Sequence, residues 1–361
     1  MPIDRKAFES ALKRVRPAVA VTDFLPQLTH FKFTPDDVGA FDGKKGIVVP
    51  FKTGVDCLIP ADRFWDVISS MSQTEINLAI EGESLILTAH KHKSKYPIRP
   101  ASDLPVFRHK DPPETWPAVP DDFKTALELC LPFTGDSGVR PDLAGISVFG
   151  EDVLSCDQKR VAWYTLKAPI IMDAPILLAT DLVREVIRLG TPNHMIFDAK
   201  SAAFAYADGS QVLGALVAEK FPENMARFFP DLEKTATISS AGAKSIASLL
   251  ERVGKFTEKG DVEARSTLEF FSGGVRSSFQ DEVSQIEDSI EDLPFDVGAV
   301  KLNVNPYHVA EALKLTNQIA IFKPGGEAEV GMALYFRSED GKFQLITGCE
   351  AKTEPQAETT K

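Results

Sequence analysis

The 361-residue chain has only four cysteines, and Cys57, Cys130, Cys156 and Cys349 stand isolated and far apart. That spacing makes neither a C-x-x-C metal site nor a disulfide framework, so free buried thiols in a reducing compartment are expected. No apolar run approaches the roughly 18 residues of a membrane-spanning helix. The opening MPIDRKAFES is charged and lacks the apolar core of a signal peptide, which points to the cytoplasm. Neither a G-x-x-x-x-G-K-S/T phosphate loop nor a G-x-S-x-G nucleophile elbow occurs, and Gly273-Gly274 reads as a turn. Acidic residues are plentiful, yet no pair stands out by its setting as a hydrolytic dyad. His90 and His92 alternate on an expected strand and offer two metal ligands, but no carboxylate or thiol nearby completes a set. The expectation is therefore no enzyme, no metal and no cofactor. A positive balance is missing as well: the net charge is −12. This excludes a protein that coats nucleic acid uniformly, though not one that gathers its cations on a single surface.

What is present is ordinary for a globular protein: 43% hydrophobic and 25% charged residues. One unit organises the chain. In Cys57–His90 a short apolar run ends at Pro60. Phe64, Val67, Ile68 and Met71 then recur at i, i+3, i+4 and i+7, which predicts a helix. Ile76–Ile80 alternates as a half-buried strand does, Glu81-Gly82 signals a turn, and Ser84–Leu87 is a second strand that continues into Lys91–Lys95. The unit recurs at Ile176–Tyr206, with Val183, Val186 and Ile187 on one helical face. It recurs again at Val300–Tyr335, with Val309, Ala312 and Leu313 and a turn at Pro324-Gly325-Gly326. The copies lie about 120 residues apart, well beyond the roughly 20–50-residue period of solenoids, so they predict three homologous domains.

A second helix precedes each unit. Asp4–Arg16 places Phe8, Leu12 and Val15 inward and is ended by Pro17. FKTALELC at Phe123 echoes FESALKRV at Phe8. Ser240–Phe256 carries Ile246, Leu249, Leu250 and Val253 at helical spacing. Strands are expected within Phe24–Ile59, at Gly145–Phe149 and at Arg160–Leu166, with further strands and loops in Glu258–Leu293. Pro97–Pro117, with six prolines, reads as a first linker, and Phe221–Leu232 as a second. The expected domains are residues 1–113, 114–233 and 234–350, followed by a polar, disordered tail at 351–361. Two helices and several strands per domain give an α+β fold with helices packed on one face of antiparallel sheets.

Four stretches resemble the bacterial sliding clamp, the β subunit of the replicative DNA polymerase. RPDLAGISVFGEDVLSCDQKRVAWYTL at Arg140–Leu166 looks like that family's "RP-x-L-x-G … ATDGHRLA" segment. Arg140, Pro141, Leu143, Gly145, Asp157, Arg160 and Ala162 stand at matching positions. KFPENMARFFP at Lys220 is similar to its linker, ASDLPVF at Ala101 to its domain-one ending, and VNPYHVAEAL at Val304 to its "FNP-x-Y-L-x-D-A-L" helix, with His308 where the family has Tyr. The four cover nearly the whole chain in the right order, and their divergence points to a virus- or phage-type member.

The resemblance implies a head-to-tail homodimer whose twelve helices line a closed ring. At roughly 8–10 Å per helix the axis circle is about 35 Å across, and removing about one 10 Å helix diameter leaves room for a hydrated duplex. It further implies double-stranded DNA, a DNA polymerase and a clamp loader as partners, with no membrane. Water-screened cations would centre the duplex without fixing it. The candidates on helices are Lys13, Arg14, Arg16, Arg63, Lys124, Arg184, Arg188, Lys244, Arg252, Lys255 and Lys314, all equally readable as ordinary solvated helix faces. A partner-peptide groove implied by position comprises Leu143, Cys156, Arg160, Val161, Pro222 and Phe228. Pro222 and Phe228, in the linker, would equally serve simply to staple the domain junction. The family's closing Met-Pro-Met-Arg is replaced here by Thr347-Gly348-Cys349-Glu350, and its Gly-His before Arg by Gln158-Lys159. Two other classes remain open: a scaffold that binds proteins without encircling DNA, and a metal-dependent enzyme using His90 and His92.

Overall fold

In the computed structural model the described residues are 2–22, 25–104, 108–109, 113–223, 225–229, 236–257, 264–293, 299–322 and 332–351. One order of elements runs through the chain three times. The first pass is β1 (Ile3–Asp4), α1 (Arg5–Val15), β2 (His30–Phe33), β3 (Asp37–Phe41), β4 (Lys45–Pro50), β5 (Cys57–Pro60), α2 (Ala61–Ser70), β6 (Glu75–Glu81), β7 (Ser84–Ala89) and β8 (His92–Pro97). The second is α3 (Phe123–Cys130), β9 (Gly145–Phe149), β10 (Asp152–Cys156), β11 (Arg160–Thr165), β12 (Ile176–Ala179), α4 (Thr180–Leu189), β13 (His194–Phe197), β14 (Ser201–Ala205) and β15 (Gln211–Ala215). The third is β16 (Ala236–Thr237), α5 (Ser240–Gly254), β17 (Ser266–Phe271), β18 (Gly274–Gln280), β19 (Gln285–Ile290), β20 (Val300–Val304), α6 (Pro306–Leu315), β21 (Gln318–Phe322), β22 (Met332–Arg337) and β23 (Phe343–Ala351). The α+β class expected from periodicity is what forms.

Backbone contacts gather these elements into two compact units. The first holds Met1–Leu127 and Lys167–Glu219. Its sheets run β1-β6-β7-β8 and β13-β14-β15-β4-β3-β2-β5, all neighbours antiparallel. The Asp4 carboxylate accepts from Ala7 N at 2.7 Å and starts α1, a cap whose loss costs about 1 kcal/mol. Phe8, Leu12 and Val15 are buried as their spacing predicts. Phe8, Phe33 and Phe64 meet at ring distances of 5.6–6.0 Å, and Tyr96 closes on Phe64 at 5.2 Å. Each fully buried ring contributes about 2–3 kcal/mol of apolar burial.

The second unit holds Glu128–Leu166 and Lys220–Lys361. Its strands follow the order β9-β10-β11-β23-β20-β17-β18-β19, with β22 also on β23, β21 on β22 and β16 on β21. Ser239 Oγ caps α5 through Gly242 N, and Asn305 Oδ1 caps α6 through Tyr307 and His308 N. Helices α5 and α6 pack together. A side chain at Gly254 would meet the Tyr307 ring at 3.0 Å, and the Tyr307 hydroxyl donates to the Gly254 carbonyl. Glycine here lets the two helices approach closely; a larger residue would have to push the Tyr307 ring aside.

Three readings change. The strand expected to continue from Leu87 into Lys95 is a hairpin instead: His90, at φ 52°, and Lys91 form the turn, and β8 is a strand of its own. His90 and His92 therefore do not share one strand face, which removes the geometry on which the metal-ligand reading rested. On α4 the buried positions are Leu182, Val183, Glu185 and Val186, with Ile187 only partly covered. β10 was not anticipated between the strands expected at Gly145 and Arg160. Some expectations lie outside the described residues: Phe24, Pro105 and Pro112, the start of Glu258–Leu293, the turn Pro324-Gly325-Gly326, Val330, and Pro230–Leu232. The tail from Lys352 onward lies outside them as well. All four cysteines are buried and free, and no helix among the described residues is long and apolar enough to cross a membrane.

Candidate functional site

The helical cations divide by partner. In the first unit Arg14 pairs with Asp208 at 2.7 Å, and Arg188 pairs with Glu185 at 2.6 Å. Arg188 also donates to the Arg14 carbonyl at 2.6 Å, joining the ends of α1 and α4. Arg184 meets Asp181 at 3.0 Å. Arg16 lies 5.0 Å over the Trp65 ring and 3.9 Å from Asp62. In the second unit Arg252 holds Asp288 at 2.6 Å, and Lys314 pairs with Glu251. Lys124 is also engaged. Lys13, Arg63, Lys244 and Lys255 are exposed and have no ion-pair or hydrogen-bond partner among the described residues. An exposed pair such as Arg184–Asp181 contributes about 0–1 kcal/mol, whereas Glu185, the partner of Arg188, is buried.

The second unit also contains a cavity of about 450 Å³ beside the β11–β23 junction. Its apolar floor is Val161, Met225, Phe228, Met332, Ala333 and Ile346. Its polar rim is Gln158, Lys159, Arg265, Asn305, His308 and Glu350, and Cys156 and Cys349 contribute thiols. Of the six groove residues expected from the resemblance, Cys156, Val161 and Phe228 line this cavity, whereas Leu143, Arg160 and Pro222 do not.

Leu143 is in the core, its carbonyl accepting from Gly135 N at 2.8 Å. Arg160 is buried beneath the rim. It bonds Asp157 at 2.7 Å, pairs with Glu311, and lies 4.7 Å over the Phe133 ring. The turn beside it depends on Asp157, whose Oδ1 accepts from Arg160 N at 2.7 Å, while Gln158 adopts φ 78°. His308, Met332 and Ile346 were not foreseen as groove residues, whereas Gly348, Cys349 and Glu350 fall in the stretch that the resemblance set against the family's closing Met-Pro-Met-Arg. The only signal in the sequence was His308 standing in a motif position held by Tyr in the resembling family.

The chemistry of this cavity is that of binding. Burial, reinforced by nearby Arg160, pulls the His308 imidazole down to about 4, with Asp157 opposing. Neutral His308 presents one donor and one acceptor. Burial pushes the Cys156 thiol up to about 11 and the Cys349 thiol up to about 12. Both thiols stay protonated and are poor nucleophiles. No group of three or more metal-ligating side chains occurs among the described residues. An apolar floor with a few polar rim groups suits a short peptide with apolar side chains.

A third feature is a pair of strand edges. Among the described residues β8 and β19 each end their sheet with a single strand neighbour. Lys93 and Lys95 are exposed on the first edge strand and Glu287 on the second, with Lys91 and Glu282 exposed in the turns that lead into them.

No protein-family model matches the sequence, and no curated protein matches it. Solved structures do match in fold. The β subunit of the DNA polymerase of Streptococcus pyogenes superposes with a TM-score of 0.83 at 16% identity, covering 97% of this chain and 99% of that one. The DNA polymerase sliding clamp of Bacillus subtilis gives 0.81 at 15% identity, covering 98% and 99%. The Helicobacter pylori β clamp, solved with a DNA ligase peptide, gives 0.79 at 18% identity, covering 98% and 100%. The chain has the fold of these three structures from end to end.

Proposed function

We propose that this protein is a DNA polymerase processivity factor, a non-enzymatic sliding clamp that encircles duplex DNA as a head-to-tail homodimer in the cytoplasm. The carrying observation is the pair of open edges. Within the chain β15 pairs with β4 and β23 pairs with β11. The next step of that series joins β8 to β19, and only a second copy supplies it. An uncovered edge is an invitation to pair, and here the edges carry opposite charge. Two chains joined twice in this way close a ring of six domains, three per chain at residues 1–113, 114–233 and 234–350.

Inside the ring Lys13, Arg63, Lys244 and Lys255 hold the duplex loosely, with the paired arginines in reserve. Long-range, salt-screened attraction centres the DNA and leaves it free to slide. The acidic excess lies outside and repels stray DNA. Polymerase and clamp loader dock through an apolar peptide in the cavity next to β11 and β23. That the H. pylori clamp was solved with a DNA ligase peptide supports a peptide as the kind of partner.

The test combines solution mass with retention on DNA. A dimer held by nicked circular DNA and released on linearisation is the expected result. A chain that stays single and leaves both DNAs equally is a protein-binding scaffold instead.

A further inference from the structure

The register of ring closure can be read from the two junctions already inside the chain, given the ring reading above. On β3, β10 and β18 the buried pairs Val38 and Ala40, Val153 and Ser155, and Val275 and Ser277 occupy corresponding places. The cross-strand partners of the second member of each pair are Ile47, Ala162 and Asp288. On the other side, Ile76, Met195 and Ile319 are the first buried residues of β6, β13 and β21. Following partners outward, Met195 leads through Phe204 to Val212 and Ile319 through Phe336 to Leu345, while on β6 the register that sets Asn77 on Thr88, carried one residue back, sets Ile76 beside Ala89 and so leads to His92. The two series meet inside the chain: Ile47 faces Val212, and Ala162 faces Leu345.

We infer that the third meeting, between two copies of the chain, sets His92 of one opposite Asp288 of the other, with Lys93 opposite Glu287 and Lys95 opposite Gln285. The internal junctions bring apolar residues together; this one brings an imidazole and a lysine to carboxylates. Two features of the single chain fit. His92 Nε2 is buried without a hydrogen-bond partner. Asp288 is already held on its Oδ2 by Arg252 Nε at 2.7 Å, which leaves Oδ1 for an incoming imidazole N–H. Closure would then build a line from Arg252 on α5 through Asp288 to His92 of the second copy. Glu287 has only a loose neighbour in its own sheet, Arg276 at 3.6 Å. A slip of two residues would set Lys91 or Lys95 opposite Glu287 in place of Lys93 but would part His92 from Asp288, so the His92–Asp288 pair and the series inside the chain are what fix the register.

Charge reversal on the full chain tests this, read as the dimer dissociation constant at low salt. Glu287→Lys should raise it about tenfold, and adding Lys93→Glu should restore it to within about threefold, whereas adding Lys95→Glu should not. His92→Asp, which opposes two carboxylates, should weaken the dimer by a similar factor. Glu287 and Lys93 are exposed, so thermal unfolding of the separated chain, measured below the dissociation constant, should not move. Rescue by Lys95→Glu in place of Lys93→Glu, or no effect of Glu287→Lys, overturns the register and leaves the ring reading standing. A native chain that never dimerises overturns both.

Discussion

The strand junctions inside the chain and the strand edges left open are built to one pattern but filled with different chemistry. At the internal junctions Ile47, Val212, Ala162 and Leu345 are all 0% exposed. At the corresponding places on the edges stand His92 and Asp288. A junction sealed by apolar burial does not come apart without unfolding, since that exposes the core to water. A junction of opposed charges holds in dilute salt, yet its parts stay soluble when separated. The ring proposed above, which would open to admit DNA, needs the second kind at its closure and the first kind inside each chain.

The comparison breaks most sharply if a charge is tolerated inside a sealed junction. Val212→Asp buries an unpaired carboxylate and should destabilise the first unit by about 3–5 kcal/mol, read as a lowered thermal midpoint. An unchanged midpoint would mean the junction is not sealed. The converse substitution is His92→Leu with Asp288→Leu, which gives the edge the filling of an internal junction. The dimer should tighten about tenfold and lose much of its sensitivity to salt in sedimentation runs, as apolar replacement of buried ion pairs does. Weaker dimers would place the attraction elsewhere.

A smaller effect follows from His308, beside the β11–β23 junction. Its folded value, about 4, lies below the ordinary 6.5. The unfolded chain therefore binds the proton first as pH falls. Stability of the second unit should decline as pH drops from 6.5 towards 4 and be unaffected by this group above 6.5. His308→Phe should flatten that slope of thermal midpoint against pH; an identical slope would assign it to other groups. The smallest effect is at Gln158, whose φ of 78° suits glycine. Relief of left-handed strain, offset by glycine's backbone entropy, should leave Gln158→Gly about 0.5 kcal/mol more stable in denaturant unfolding.

Much of the second site lay beyond the sequence. Cys156 and Phe228 were placed in the groove by position, but Leu143 and Arg160 turned inward, because Asp157, Glu311 and Phe133 together satisfy Arg160 beneath the rim. Periodicity marks which residues are apolar without telling the floor of a cavity from the core behind it. Likewise the eleven helical cations were correctly placed on helices or at their ends, while their partners were invisible. Arg14 finds Asp208, and Arg252 finds Asp288, only once remote segments fold together.

Local pattern alone determined the six α-helices among the described residues, the apolar stripe on nearly all of them and the threefold recurrence. Helical spacing brings residues three and four apart onto one face, so a few turns of sequence suffice to read it. Which strand lies beside which, where the cavity opens and which edges stay bare were decided only by tertiary structure. A strand's alternation names its buried face but not its neighbour. The ladder between β4 and β15 joins residues so far apart in sequence that no local pattern encodes their meeting.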